Sequence, residues 1–201
     1  MTVAYIALGG NLPGPAGRPD TTLAAAVERM AGLGRVVARS SLYSTAPVGY
    51  ADQPRFLNAV VGLEARAAPR ELLISLLGIE REFGRDRAGA IANGPRTLDL
   101  DILLYGDLAL SEAGLEIPHP RLAEREFVLV PLNEIAPEVR DPRSGRKVKE
   151  LLERLRAGLP LRSNQTTDEV VAFESDCWRA GVACAHAGSD DARAGPDSNH
   201  G

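Results

Sequence analysis

Two aspartates separated by a single residue sit inside the apolar run TLDLDILLY, residues 97–105. In an extended strand successive side chains point to opposite faces, so Leu98, Leu100 and Ile102 share one face while Asp99 and Asp101 share the other. The carboxylates then lie roughly 6.6 Å apart along the strand, two steps of about 3.3 Å. Hard oxygen ligands so placed suit Mg²⁺, which takes one or two carboxylates and completes its shell with water and substrate phosphates. They could also straddle a two-metal site with ions about 3.5–4 Å apart. For an isolated D-x-D the plainer reading is a solvent-facing strand. The loop before it shifts the balance, because Arg85, Arg87 and Arg96 gather there with Gly94-Pro95 just ahead of the last. Guanidinium groups beside carboxylates make sense where polyphosphate arrives with Mg²⁺ between the two sets of charge.

His119 stands in IPHPR, with Arg121, Arg125 and Phe127 following. A histidine between two prolines has a stiff backbone, fit for a phosphate or ribose contact or for a simple turn, and spacing alone favours the turn. Asn58 falls where a strand leaves a loop. There its amide could read the edge of a heterocycle or merely cap the strand end. The chain contains no G-x-x-x-x-G-K-[ST], C-x-x-C or G-x-S-x-G, so P-loop, dithiol and nucleophile-elbow chemistries have no support. Gly9-Gly10-Asn11 is adequately explained as a tight turn.

These residues need a frame to hold them. Val3 to Leu8 reads as a buried strand, and a Gly/Pro loop follows from Pro13 to Pro19. Asp20 or Thr21 can cap a helix whose Leu23, Val27 and Met30 recur at helical spacing. Arg35–Ser44 predicts a second strand, residues 45–55 a loop, and Phe56–Ala65 a third strand. Pro69 suits the first turn of a second helix with Leu72, Leu73, Leu76, Ile79 and Phe83 inward and Gly84 as its stop. Thr97–Tyr105 is the fourth strand. The order β-α-β-β-α-β is that of the ferredoxin-like split motif. It predicts an α+β fold, an antiparallel sheet with both helices on one face and the other face free. An extended stretch, a helix near Arg121–Ala136 and an amphipathic end at Val148–Leu155 are added to it. Residues 1–156 thus form one domain. Residues 157–201 read as a low-complexity, largely disordered tail with room for a short helix near Val170–Trp178.

Composition narrows the function. The chain has 201 residues with 23 basic and 27 acidic groups, a net charge of −4, and no basic excess to meet a nucleic acid backbone. All four units of that excess fall in the tail. The basic residues are 21 Arg and 2 Lys (Lys147 and Lys149), a skew that removes weight from any argument that Arg was chosen over Lys. No apolar run approaches the ~18 residues of a membrane span, and MTVAYIALGG has no secretory signal, so a cytoplasmic protein is expected. Cys177 and Cys184 suggest no disulfide framework, and whether they pair is left open.

The blocks AYIALGGNL, STAPVGYADQPRFLNAV, GPRTLDLDILLYG and IPHPRLAEREFVLVPLNEIAPE, in this order over about residues 2–156, resemble the 6-hydroxymethyl-7,8-dihydropterin pyrophosphokinases of folate biosynthesis. The resemblance implies a ferredoxin-like monomer that acts on small molecules, transferring an intact diphosphate from ATP to the pterin hydroxymethyl group with release of AMP. It implies that Asp99 and Asp101 hold two Mg²⁺ ions and that Arg85 and Arg96 stabilise charge on the transferring group. Glu80, Arg85, Arg96, Ile102, His119, Arg121 and Arg125 would meet ATP. Phe56 and Phe127 would sandwich the pterin, with Asn58, Thr45, Pro47 and Val48 at its edge, and loops 45–55 and 85–96 would close over both substrates. The chain departs from the family pattern at Gly10, where many relatives carry Ser, and at Phe56, commonly Tyr. Residues 88–93 also lack a Trp found in some relatives. Two rivals remain: a Mg²⁺-dependent nucleotidyltransferase, which would release diphosphate instead of AMP, and a non-enzymatic ferredoxin-like binding module. At 4% aromatic residues the chain is poorly equipped to stack RNA bases.

Overall fold

In chain order the elements are β1 (Thr2–Gly10), α1 (Pro19–Met30), β2 (Gly34–Arg39), β3 (Leu42–Thr45), β4 (Phe56–Ala65), α2 (Pro69–Glu82) and β5 (Asp99–Tyr105). A small hairpin of β6 (Leu110–Glu112) and β7 (Leu115–Ile117) leads through a 3-10 turn to α3 (Glu126–Ile135), α4 (Val148–Arg156), β8 (Val170–Phe173) and α5 (Asp176–Ala180). The computed structural model describes residues 1–50, 52–87, 93–158 and 169–181.

The main sheet runs β5-β1-β4-β3-β8, with β2 also on β4, and every pairing is antiparallel. On one face Ile6, Leu8, Leu57, Ala59, Val61, Leu63, Leu100 and Ile102 pack against α1 and α2 through Leu23, Met30, Leu72 and Leu76. The opposite face is not left free, as the sequence had suggested. Val60 and Leu103 meet Val128, Leu129, Leu132, Leu151 and Leu152 of α3 and α4 there, with Tyr5 and Ala7 alongside. Covered on both sides, β4 is buried almost throughout, which is why its sequence reads as an apolar run with little alternation. The α3/α4 cover stops short of one end of the sheet, and at that end Asn58 extends the row of Val60 while Asp99 and Asp101 extend the row of Leu103.

Three further expectations are corrected. No side chain caps α1; Arg18 occupies the N-cap and Pro19 opens the helix, while the buried Asp20 carboxylate accepts from Arg18 and from Ser175 instead. The stretch expected as one strand over 35–44 breaks at Ser40, so that β2 and β3 pair with successive parts of β4. The reason is local. The Ser40 hydroxyl takes the Val60 N–H at 3.0 Å and donates to Ser41 O, which competes with regular pairing. Finally, part of the tail is ordered against the sheet. Of the short helix expected near Val170–Trp178, only the end is helical, as α5; Val170–Phe173 is instead a strand on β3, and Trp178 is buried. Residues 159–168 and 182–201, to which the rest of the disorder expectation applies, lie outside the described residues, as does Cys184.

Candidate active site

The open end of the second face is where β1, β4 and β5 bring their ends together. Gly9 lies opposite Asp99 on one side and Asn58 on the other, and Ala7 lies opposite Asp101. A Cβ at Gly9 would press on Asn58 Oδ1 at 3.1 Å, so the small residue keeps the floor between them low.

Cations crowd the two carboxylates. Arg96 Nε stands 3.3 Å from Asp99 Oδ2, while Arg85 and Arg87 reach Asp99 Oδ1 at 3.7 and 3.8 Å. His119 Nε2 and Arg125 Nη1 each approach Asp101 Oδ2 at 3.9 Å. Burial, and then the neighbouring Asp101, push the Asp99 carboxyl up, opposed by Arg96, Arg85 and Arg87. Arg85 Nε and Arg96 Nε are buried with no aligned acceptor among the described residues. Unsatisfied guanidinium donors of this kind are costly unless an anion completes them. Burial, with Arg125 and Arg121 adding to it, pulls His119 down to about 4, so at neutral pH its imidazole is uncharged. Its Nδ1 accepts the Arg121 N–H at 3.1 Å, which leaves the proton on Nε2, facing Asp101.

One pocket beside the carboxylates is lined by Thr45, Ala46, Val48, Phe56, Asn58, Asn93, Arg96, Arg121, Arg125 and Phe127. Phe56 and Phe127 lie under the guanidinium groups of Arg96 and Arg125, at 4.7 and 5.6 Å from the ring centroids. Asn58 Nδ2 donates to Thr45 Oγ1 at 2.8 Å, which fixes the amide and turns its Oδ1 toward Gly9. A cleft over Asp99 and Asp101 continues from this pocket past Asn58, Arg96, Arg125 and Phe127. A second pocket, lined by Leu73, Ile102, Leu115, Glu116, His119 and Pro120 among others, shares Asp101 with that cleft.

Most of the residues singled out in the sequence therefore meet in one place, though they divide between the pockets. Pro47 does not line the first pocket. Arg121 and Arg125 stand on the Phe56/Phe127 side and not in the second pocket, where Ile102 and His119 lie. Glu80 lines neither. Its carboxylate, 1% exposed, accepts the Leu100 N–H at 2.8 Å and Arg87 at 2.6 and 3.0 Å from beneath the strand. Asn11 was missed altogether. Its Nδ2 donates to Gln53 Oε1 and Pro54 O and its Oδ1 accepts the Arg96 N–H, while Gln53 Nε2 donates to Asn93 O. The sequence reading had explained Gly9-Gly10-Asn11 as a tight turn, whereas Gly9 and Gly10 are the paired end of β1 and Asn11 is buried just beyond it.

Among the described residues no group of three or more His, Cys, Asp or Glu closes around a metal position. The pair Asp99 and Asp101 is thus an open set of hard oxygen donors, which fits a cation that keeps most of its shell for water and substrate oxygens. An antiparallel α+β sheet with paired carboxylates under clustered guanidinium groups, and a pocket on either side, is an arrangement suited to polyanion chemistry.

Comparison with known proteins gives that class its particular form. Residues 5–137 match the family model for 7,8-dihydro-6-hydroxymethylpterin-pyrophosphokinase (HPPK). The chain belongs to this family. A Pseudomonas aeruginosa protein named 2-amino-4-hydroxy-6-hydroxymethyldihydropteridine pyrophosphokinase is 47% identical over 148 residues, 74% of this chain and 88% of that one. Its namesake in Synechocystis is 44% identical over 152 residues, 76% of this chain and 75% of that one. Among solved structures, Plasmodium falciparum HPPK-DHPS with pteroate aligns at a TM-score of 0.61 and 16% identity. That alignment covers 76% of this chain and 44% of that one and bears on the fold alone.

Proposed function

We propose that this chain transfers diphosphate from ATP to the hydroxymethyl group of 6-hydroxymethyl-7,8-dihydropterin and releases AMP, the step its family is named for in folate biosynthesis. The observation that carries the proposal is the shared wall. The aromatic pocket and the Ile102/His119 pocket both open onto the cleft over Asp99 and Asp101. We read the sheet order and the two helices on one face as a ferredoxin-like core in which the C-terminal helices cover the rest of the second face.

In this reading the pterin ring lies between Phe56 and Phe127 and the Asn58 amide reads its edge, with Thr45 and Val48 closing the side. The nucleotide lies against Ile102 and His119, and its phosphates run past Asp101 toward Asp99. Two Mg²⁺ ions held by Asp99 and Asp101 would neutralise phosphate charge and orient the attacking hydroxyl. Arg85 and Arg96 flank Asp99 and would stabilise charge where it develops on the transferring diphosphoryl group. The neutral His119 would offer its Nε2 proton to a nucleotide oxygen without adding charge. Glu80 holds the strand and Arg87 in place from below. The chain forms no covalent intermediate in this scheme. It aligns the pterin hydroxyl with the phosphorus and excludes water.

Purified protein, ATP, Mg²⁺ and the pterin, with nucleotides separated by charge, test the proposal. AMP formed only when pterin is present is the expected result. Release of diphosphate with a nucleotide joined to an acceptor would replace the proposal with a nucleotidyltransferase. A folded protein that consumes no ATP would remove it.

A further inference from the structure

The ordered part of the C-terminal tail sits at the foot of the aromatic pocket, and nothing in the family match, which ends at residue 137, accounts for it. Four residue pairs join β8 to β3, from Leu42 opposite Phe173 to Thr45 opposite Val170. Trp178, 5% exposed, donates from Nε1 to Ser40 O at 2.8 Å and so covers the break between β2 and β3, with its ring 3.6 Å from the Arg39 guanidinium carbon. Ser175 caps α5 by accepting the Trp178 N–H and donates to Asp20 Oδ2 at 2.9 Å, fastening the tail to the first turn of α1. The tail's entry point is also tied. Arg55 donates to Glu169 O at 3.1 Å and, with the same guanidinium, to Ser44 Oγ and Ser44 O.

Arg55 and Ser44 are the two feet of the loop that begins with Thr45 and carries Ala46 and Val48 into the aromatic pocket. Without β8, the four-residue β3 would be a bare edge strand next to a break, with half its backbone groups unpaired. We infer that the segment Glu169–Gly181 is a strap that positions the wall of the pterin-side pocket, acting through β3 and Arg55 on Thr45 and Val48. Its members touch neither proposed substrate and are positioning residues. The inference rests on the proposed function for the identity of the substrate, but the coupling of the strap to the loop is independent of it.

The test uses the full chain carrying Trp178→Ala, with Trp178→Phe as a milder variant that keeps a ring over Arg39 and loses the bond to Ser40 O. The expected kinetic result is a KM for the pterin raised about tenfold by Trp178→Ala, the order of one or two lost hydrogen bonds. The KM for ATP should stay within about twofold, and Trp178→Phe should fall between the wild type and Trp178→Ala, by the same reckoning. Hydrogen exchange read at residues 43–48 supplies the second measurement, with faster exchange there in both variants as the expected result. Should Trp178→Ala fail to fold, Trp178→Phe carries both measurements. A lower melting temperature with unchanged pterin KM and unchanged exchange at 43–48 would overturn the inference and leave the strap a stabilising element only. If the wild-type chain itself turns over no pterin, the proposed function fails. The exchange measurement then decides the strap by itself.

Discussion

Glu80 Oε1 accepts the N–H of Leu100 at 2.8 Å, so a buried carboxylate on α2 grips the one residue that lies between Asp99 and Asp101. Burial pushes the Glu80 carboxyl up, and the bonds from Leu100 and Arg87 pull against that. Glu80→Ala would leave the Leu100 N–H buried and unmet, a loss of about 1–3 kcal/mol. Glu80→Gln keeps an acceptor for that N–H. Urea unfolding should therefore show a much larger loss for Ala than for Gln. In an AMP assay Gln should also retain more activity than Ala.

Asp101→Ala separates site from fold. Its side chain is partly exposed and its nearest cation, Arg125, stands at 3.9 Å, so the fold has little to lose, and Asp99 is relieved of a like charge. Turnover should fall by about 10³-fold, the scale of removing an electrostatic stabiliser. The melting temperature should stay level or rise. Near-normal AMP formation by this variant would remove the metal role from Asp101.

Phe127→Ala should act on one substrate. The ring lines the pocket of Thr45, Val48 and Asn58 and supports Arg125 from below. Loss of a stacking face is worth about 0.5–1.5 kcal/mol beyond area, so pterin KM should rise by an order of magnitude. Steady-state kinetics that show an equal rise for ATP would place the pterin elsewhere.

At Gly10 a Cβ would collide with the Thr97 carbonyl oxygen. Asn11 N and Leu12 N both donate to Arg96 O beside it, at 2.9 and 3.1 Å. Gly10→Ser must push the Arg96–Thr97 backbone away and should cost about 1–3 kcal/mol, as overpacking does. Calorimetry gives the stability change. A lower kcat should accompany it, because Arg96 moves too.

Glu138 is held by Lys147 at 2.6 Å and Lys149 at 2.5 Å, and those hydrogen bonds lower its carboxyl to about 2. With the folded pKa below its usual 4.5, the stabilisation is present above pH 4.5 and is lost as the pH falls toward 2. The Glu138 carboxylate is exposed to solvent, so salt should weaken the clamp. Denaturant midpoints of wild type and Glu138→Gln should differ at pH 6 in low salt, and the gap should narrow both at pH 2.5 and in 1 M salt. A gap as wide at pH 2.5 as at pH 6 would assign the effect to something other than this carboxylate.

The frame was legible wherever one physical signal dominated. Apolar periodicity and a proline–glycine pair bounded α2 between Pro69 and Gly84, and the unbroken run from Phe56 to Ala65 is β4 as expected. The D-x-D in a strand and the arginines around it pointed to the site because charge at a strand end is a local pattern. What escaped was set by distant partners. The break at Ser40 depends on Val60, twenty residues away, and β8 exists only because β3 offers an edge to a four-residue segment too short to show a period. Glu80 entered only through the family resemblance, and only the approach of α2 to β5 shows that its carboxylate meets Leu100 and Arg87.

The Asn11 amide holds Gln53 and Pro54 of one substrate loop and the Arg96 N–H of the other, and Gln53 reaches on to Asn93. Neither loop can be displaced without straining the same few bonds. In the proposed reaction loop 45–55 walls the pterin pocket while Arg85 and Arg96 of the other loop meet the transferring diphosphoryl group, so the binding free energies are linked through this joint. Linkage is reciprocal. By whatever factor ATP sharpens the hold on the pterin, the pterin must sharpen the hold on ATP, and an Asn11→Ala enzyme should bind the two as strangers.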